Sequence, residues 1–279
     1  MNSIALRVPL ALCALFVALT GCSGADSNGD VSASSAASAL SSESARIVAV
    51  QSNSSGAGYV VRELNCSSPQ HVDSLDLTAA SVDTSSLTSA LHIAGAVALR
   101  GRLDGATFVA TDVYRALPDT AASPRESFFL AERGTNGSTK ATVVNESLTS
   151  TFDRLDVSGA AVPFLDQTWL TARVLAAGAL VAGSLQGAGG AVVLRASEVL
   201  VRVPEEVACP APLFIECAAG TSPTYERTAE RCTVQIGCAA PTACPMPVPA
   251  CSAGYVLVEW RAAGGCASYA CDPAFDPAP

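Results

Sequence analysis

Eight cysteines in the last quarter of the chain offer the clearest chemistry in the sequence. They form two groups of nearly equal spacing, each opening with Cys-Pro: Cys209, Cys217, Cys232 and Cys238, then Cys244, Cys251, Cys266 and Cys271. Zinc sites made of thiolates usually need C-x2-C pairs, and the sequence contains none. Disulfide pairing within two small modules, residues 209–238 and 244–271, is therefore predicted, with no bound metal. Four cysteines per module allow three pairings, and the spacing does not choose among them.

Other residues that could support catalysis are few. The two histidines, His71 and His92, lie outside any H-E-x-x-H motif, and the chain has no G-x-S-x-G or G-x-x-x-x-G-K sequence. Asp83 and Asp156 stand at matching places in an internal duplication, which invites comparison with the paired carboxylates of aspartic proteases. Those enzymes need a tight Asp-Thr/Ser-Gly turn, whereas both aspartates suit helix N-caps. We predict no catalytic residue and no cofactor, and we keep a hydrolase built on the duplicated domain as an alternative.

The duplication consists of two copies of one pattern, residues 58–117 and 127–203. Each copy has two β-prone runs around a polar turn, then an apolar-Asp-x-Ser element, a helix-like stretch and a closing hairpin. The Asp-x-Ser elements are Val82-Asp83-Thr84-Ser85 and Leu155-Asp156-Val157-Ser158, and the first hairpin turns at Asp104-Gly105. The pattern predicts an α+β fold in which two tandem ββαββ-like repeats pack together, because one copy alone has too small a core.

The first copy contains several short motifs that point to a known type of domain. They are Tyr59-Val60-Val61-Arg62, Cys66-x-x-Pro69, Leu99-Arg100-Gly101-Arg102-Leu103 and Thr107-Phe108-Val109-Ala110-Thr111. Together they resemble a domain of unknown function from secreted proteins and lipoproteins of high-GC Gram-negative bacteria. The resemblance implies a fold and no activity. Members of that family often have a second cysteine shortly after the first, where this chain has other residues, so Cys66 is expected to lack an evident partner.

The N-terminus is typical of an exported protein. Arg7 precedes a short apolar run, residues 8–19, which ends in Leu19-Thr20-Gly21-Cys22. These four residues resemble the lipobox of bacterial lipoproteins, in which the signal peptide is removed before the cysteine and the cysteine is acylated. The resemblance implies a signal peptide over residues 1–21 and a membrane anchor on Cys22. Ser23 follows the cysteine. Retention at the inner membrane would require Asp at this position, so the serine favours the outer membrane. Ordinary signal cleavage ahead of a cysteine is the alternative.

Residues 22–57 are dominated by Ser, Ala and Gly. Such a segment buries too little apolar surface to offset the entropy lost on ordering its backbone. It is predicted to be a flexible tether between the membrane anchor and the first repeat.

The charge balance excludes one class of partner. The chain has a formal net charge of -9 and a single lysine, Lys140. Nucleic-acid binding needs clustered basic side chains that neutralise phosphates, and the sequence has no such cluster. The many cysteines indicate an oxidising compartment outside the cytosol.

Short elements around the later cysteines are similar to those of a class of protease inhibitors. Cys251-x-x-Gly254 and Gly265-Cys266 loosely resemble elements of the disulfide modules of antistasin-type protease inhibitors, although those modules carry more cysteines. The resemblance implies an inhibitory loop for a trypsin-like pocket, for which Arg227, Arg231 and Arg261 are the basic candidates.

These observations together favour a lipoprotein of the cell envelope, facing the periplasm or the outside, that is not an enzyme. It would bind the membrane through Cys22 and present a binding or structural module to a protein or glycan. A protease inhibitor that uses the C-terminal modules, and a hydrolase built on the duplicated domain, are the alternatives.

Overall fold

The computed structural model describes residues 44–66, 68–118, 126–204, 209–211, 214–244 and 247–276. The predicted signal peptide, Cys22 and residues 23–43 of the predicted tether lie outside these ranges. Within them, no helix is both long enough and apolar enough to span a lipid bilayer.

The described residues from 44 to 204 form two repeats with the same order of elements: four strands, one helix and two strands. The first repeat contains β1 (Arg46–Ser52), β2 (Tyr59–Glu63), β3 (Pro69–Val72), β4 (Ser74–Asp76), α1 (Thr84–Leu91), β5 (Val97–Asp104) and β6 (Thr107–Ala116), with a 3-10 turn at Thr78–Ala80. The second contains β7 (Ser127–Arg133), β8 (Thr139–Val143), β9 (Thr149–Phe152), β10 (Arg154–Asp156), α2 (Gln167–Leu175), β11 (Ala176–Ala188) and β12 (Ala191–Val203).

The two repeats share one 12-stranded sheet. Its main path runs β3-β2-β1-β5-β6-β12-β11-β7-β8-β9, so the last strands of the two repeats, β6 and β12, meet at its centre. These strands pair antiparallel, with Tyr114 opposite Arg202 and Ala116 opposite Leu200. The short strands β4 and β10 add parallel to β6 and β12. The strand order is symmetric about the central pair, as a pseudo-twofold axis requires.

The predicted α+β class is wrong, because the fold is mostly β. The two α-helices have only eight and nine residues, and each repeat contributes six strands to the shared sheet. The ββαββ pattern missed β1 and most of β3 in the first repeat, and β9 and β10 in the second. Short strands of three or four residues carry too little alternation to be recognised in the sequence.

The predicted tether also extends too far. Residues Arg46–Ser52 form β1, which pairs with both β2 and β5 near the middle of the first repeat. Ile47, Val48 and Val50 are buried there. A strand with neighbours on both sides is part of the core, so the repeat begins before residue 58.

Apolar residues pack on both faces of the sheet. One cluster includes the buried faces of α1 and α2, with Leu87 and Trp169 among its members. The other draws side chains from both repeats: Ile47, Leu64, Ala98, Tyr114, Val144, Leu180 and Leu200. Because this second cluster contains equivalent positions of both copies, it joins the repeats across the pseudo-twofold axis.

Two asparagines connect the repeats reciprocally. Asn65 donates hydrogen bonds to the carbonyls of Phe128 and Val144, and it accepts one from the Phe128 amide at 2.8 Å. Asn145 donates to the carbonyls of Ile47 and Leu64, and accepts one from the Ile47 amide at 2.8 Å. Both adopt positive φ, 67° and 64°, which asparagine tolerates better than most residues. Each repeat therefore holds the first strand of the other.

The C-terminal region contains the two disulfide modules predicted from the cysteine spacing, and each module includes one β-hairpin. The first is β13 (Ser222–Arg227) with β14 (Thr233–Ala239), and the second is β15 (Tyr255–Arg261) with β16 (Ala267–Pro273). The disulfides join Cys209 to Cys232, Cys217 to Cys238, Cys244 to Cys266 and Cys251 to Cys271. Each module thus pairs its first cysteine with its third and its second with its fourth, the choice that spacing left open.

Cys66 is also disulfide-bonded. The expectation that it lacks a partner is therefore wrong.

Candidate binding surface

Two of the three arginines predicted for an inhibitory loop lie in a buried ion-pair cluster. Arg227 ends β13, and its Nη2 donates to both carboxylate oxygens of Asp272, at 2.7 and 2.6 Å. Arg231 lies in the turn between β13 and β14 and is 2% exposed. It donates to the carbonyl and the carboxylate of Asp276, at 2.6 and 3.0 Å. Neither side chain can enter the pocket of a protease, so these two assignments are wrong.

The cluster fastens both modules to the second repeat. Arg231 stacks 4.4 Å from the ring centre of Trp169, a fully buried residue of α2. Arg227 Nε lies 3.5 Å from a carboxylate oxygen of Asp166, and its guanidinium also faces Trp260 in the second module. Three separate parts of the chain thus meet at one charged core. Removing one partner from such a buried pair is strongly destabilising, because the remaining charge stays out of water.

Arg261 has a different position from the other two candidates. It ends β15, opposite Ala267, and is half-buried. It remains the one predicted inhibitory arginine with substantial access to solvent.

The two aspartates singled out in the sequence have different structural roles. Asp83 caps α1 as predicted, accepting a hydrogen bond from the Ser85 amide at 2.9 Å. Asp156 ends β10 instead and accepts hydrogen bonds from the hydroxyl and amide of Ser158. The cap of α2 is Asp166, which accepts from the amides of the next turn. Asp83 and Asp156 are therefore not equivalent, and the prediction that Asp156 is an N-cap is wrong.

Local hydrogen bonds lower the pKa of both aspartates. The hydrogen bonds from Ser85 lower the pKa of Asp83, and those from Ser158 lower the pKa of Asp156. In an aspartic-protease dyad one carboxyl has a strongly raised pKa. The counterpart of Asp156 in the first repeat is Asp76, which accepts from the Thr78 amide and has its pKa lowered in the same way.

A shallow, open cleft lies along α2 beside the end of β7. Arg133, Gln167, Thr168, Thr171 and Leu175 contribute to its lining. Its lining includes one cationic side chain, that of Arg133, and no carboxylate. Over the described ranges, no three His, Cys, Asp or Glu residues are grouped in a way that could hold a metal ion.

Exposed apolar side chains concentrate on the C-terminal modules. Among the described residues, ten large apolar side chains are exposed, and six of them belong to residues 209–271: Phe214, Ile215, Ile236, Val248, Val256 and Leu257. Scattered exposed apolar residues are ordinary on any protein, whereas a concentration in one small region is typical of interaction surfaces. Sequence patterns alone could not identify this surface, because they do not show which apolar side chains of a hairpin or loop are covered by the rest of the fold.

Phe214 and Val248 occupy the same place in their modules. Each stands three residues before the second cysteine of its module, Cys217 or Cys251. They are also the most exposed of the ten, at 89% and 63%. The two modules therefore present an apolar side chain at a matching point.

The backbone next to Phe214 is held in place. The Ile215 amide donates to Gln235 Oε1 at 3.1 Å, and Gln235 Nε2 donates to the Ile215 carbonyl at 2.7 Å. Gln235 itself lies on β14 and is only 8% exposed. The side chain of Phe214 is thus presented to solvent from a backbone that is fixed on one side.

Comparison with known proteins gives no family for the chain. No protein-family model matches it, and no solved structure matches it. It is similar to an uncharacterized protein of Dictyostelium discoideum, with 30% identity over 120 residues. That similarity covers 41% of this chain and 40% of the relative, so the chain spans less than half of the relative's length.

Proposed function

We propose that this protein is a non-enzymatic lipoprotein, anchored to the outer membrane by acyl chains on Cys22, whose C-terminal modules bind a partner protein. The observation that carries the proposal is the concentration of exposed apolar side chains on those modules. The lipobox-like Leu19-Thr20-Gly21-Cys22 supports the anchor. The partner faces the same compartment, in the periplasm or outside the cell.

The rigidity of the modules supports a role in binding. Two disulfides brace each module internally. The buried cluster around Arg227 and Arg231 joins the modules to each other and to the second repeat. A surface that is ordered before binding loses little conformational entropy on association. Five of the six exposed large apolar side chains are aliphatic and one, Phe214, is aromatic. Aliphatic groups suit a protein partner better than a glycan, since sugars are bound mostly through hydrogen bonds and aromatic stacking.

Intact mass tests the membrane anchor. The protein is purified from its native membrane and weighed before and after reduction and alkylation, with a Cys22→Ser variant as control. We expect a chain that begins at Cys22 and carries acyl chains, and a control that lacks them. With residues 1–21 removed and the eight module cysteines paired with one another, Cys22 is the one cysteine left in the chain that could pair with Cys66. An acylated sulfur cannot form a disulfide, so the number of cysteines alkylated before and after reduction shows whether Cys22 is acylated or bonded to Cys66. A soluble, unacylated product, or Cys22 found in a disulfide, would contradict the anchor.

Site-specific crosslinking tests the binding surface. A photoreactive phenylalanine analogue is placed at Ile236 or Leu257 on the modules, and at Ile93 on the first repeat as a control. All three positions are exposed, so the analogue should not disturb the fold. We expect a discrete crosslinked product from the module positions in native membranes and none from Ile93. Absence of a product at both module positions, or the same product at all three, would contradict the proposal.

A further inference from the structure

Phe214 is the most exposed of the large apolar side chains described above, at 89%. It lies on a segment whose next residue is fixed through both of its backbone polar groups by the buried Gln235. An exposed aromatic side chain on a preorganised backbone is the usual form of an anchor residue that enters a pocket on a partner.

The flanks of this segment are tied separately to the hairpin. Cys209, before Phe214, is bonded to Cys232, and Cys217, after it, is bonded to Cys238. A break in the Phe214–Ile215 peptide bond would therefore leave both new ends attached to the same module. Ile215 would also keep its contact with Gln235.

From this geometry we infer that Phe214–Cys217 is an inhibitory loop for serine endopeptidases whose primary pocket accepts an aromatic side chain. The inference rests on the proposed function only in taking the modules as the binding surface, and it names the class of the partner. It replaces Arg227 and Arg231, which are buried, by a residue that is free to enter a pocket.

The chemistry of the inhibited complex follows from the tethered ends. The serine oxygen of the enzyme bonds to the carbonyl carbon of Phe214, the bond to the Ile215 nitrogen breaks, and the serine proton passes to that nitrogen. In the reverse step the amine attacks the acyl group, the peptide bond forms again, and the proton returns to the serine. Because Gln235 and the disulfides hold the amine beside the acyl carbon, its effective concentration is high. Rejoining is then faster than hydrolysis by water.

The second module supplies a natural comparison. Val248 is exposed at the position that matches Phe214, but Pro249 follows it and has no amide hydrogen to donate. Tyr269 stands where the first module has Gln235, three residues after the third cysteine. The second module therefore lacks the amide clamp, and it is not expected to inhibit.

Inhibition of α-chymotrypsin by the purified, fully oxidised chain tests the inference. We expect stable inhibition by the wild type, and roughly 100-fold weaker inhibition by Phe214→Ala, since the anchor carries most of the binding. Phe214→Arg should transfer inhibition from chymotrypsin to trypsin. Gln235→Ala should still bind but be cleaved faster after Phe214. Val248→Ala is the matched control and should behave as the wild type.

The opposite results would overturn the inference. They are no inhibition by the wild type, rapid cleavage of the wild type after Phe214, or inhibition that Phe214→Ala leaves unchanged. The number of alkylatable thiols and the circular dichroism spectrum confirm that each variant is folded. If inhibition fails while crosslinking at Ile236 and Leu257 persists, the inhibitory loop is wrong and the binding surface stands.

Discussion

At the scale of single residues, the buried guanidinium of Arg231 joins the first module to the second repeat and to the residues that follow the second module. It faces Asp276 on one side and the ring of Trp169 on the other. Such a position was not visible in the sequence, because a charged residue is exposed by default and Asp276 lies 45 residues further along the chain. The role of Arg227 was predicted wrongly for the same reason, because its partner Asp272 is also 45 residues away in the sequence.

Arg231→Ala is expected to lower the free energy of unfolding by about 3–5 kcal/mol, because the carboxylate of Asp276 loses its buried cation. Urea denaturation followed by tryptophan fluorescence measures the change. Arg261→Ala is the control, since a half-exposed arginine should cost less than about 1 kcal/mol. Equal losses in the two variants would show that the buried cluster does not fasten the modules.

The cap at Asp83 predicts a dependence of stability on pH. Hydrogen bonds from Ser85 hold its pKa in the folded state below the ordinary value of 3.8. Because the folded pKa is depressed, the stabilisation is complete above pH 3.8 and is lost as the pH falls through the folded pKa. Asp83→Ser keeps a capping oxygen that does not titrate. We expect the stability difference between wild type and Asp83→Ser, measured by urea unfolding, to change between pH 5 and pH 2. A constant difference would contradict the role of the carboxylate.

At the scale of elements, two glycines allow bulges at equivalent places in β5 and β11. The strand register shifts between Arg100 and Gly101 in one repeat and between Ala182 and Gly183 in the other. A Cβ at Gly183 would collide with the backbone carbonyl of Arg195. The matching bulges are a second sign of the duplication. They could not be predicted from the sequence, because a glycine in a β-prone run is equally compatible with a turn.

Gly183→Ala is expected to destabilise the protein by about 1–3 kcal/mol, because the clash is with backbone that cannot move freely. Gly187→Ala in the same strand is the control, since a Cβ there meets nothing within 4 Å. It should change stability by no more than about 0.5 kcal/mol. Thermal unfolding of the two variants side by side gives the comparison, and a similar melting temperature for both would contradict the steric argument.

Sequence patterns predicted these elements unevenly. The prediction of two disulfide modules was correct because cysteine spacing reflects short-range covalent geometry. The strand β1 was missed because its residues follow a Ser- and Ala-rich segment, and their burial depends on pairing with β5, about fifty residues later. The helix N-caps were predicted with mixed success. Asp83 was correctly predicted to cap α1, whereas Asp156 was predicted to cap the second helix, which Asp166 caps instead.

At the scale of the whole molecule, the reciprocal asparagines and the central pair of β6 and β12 hold the repeats together. Asn65 bonds to Val144, the neighbour of Asn145, and Asn145 bonds to Leu64, the neighbour of Asn65. The two sites are therefore adjacent across the pseudo-twofold axis. No local pattern marks this arrangement, which arises only when the two copies are brought together.

Asn65→Ala and Asn145→Ala are each expected to cost about 2–3 kcal/mol, since each leaves buried backbone groups without hydrogen bonds. Because the sites share neighbours, the double variant should cost less than the sum of the two. A double-mutant cycle by chemical denaturation measures the coupling. Strict additivity would show that the two asparagines act independently.

The symmetric strand order has a consequence for how such a molecule can arise. The main contacts that join the repeats in the shared sheet, β6 against β12 and the exchanged asparagine bonds, are of the kind that two identical chains make across a twofold axis. The covalent link between the repeats is therefore not what holds them in register. An ancestor with one repeat per chain could have formed the same sheet as a homodimer. Fusion of the two genes would then have allowed each copy to acquire its own contacts with the C-terminal region, such as Arg115 with Phe275 in the first and Asp166 with Arg227 in the second.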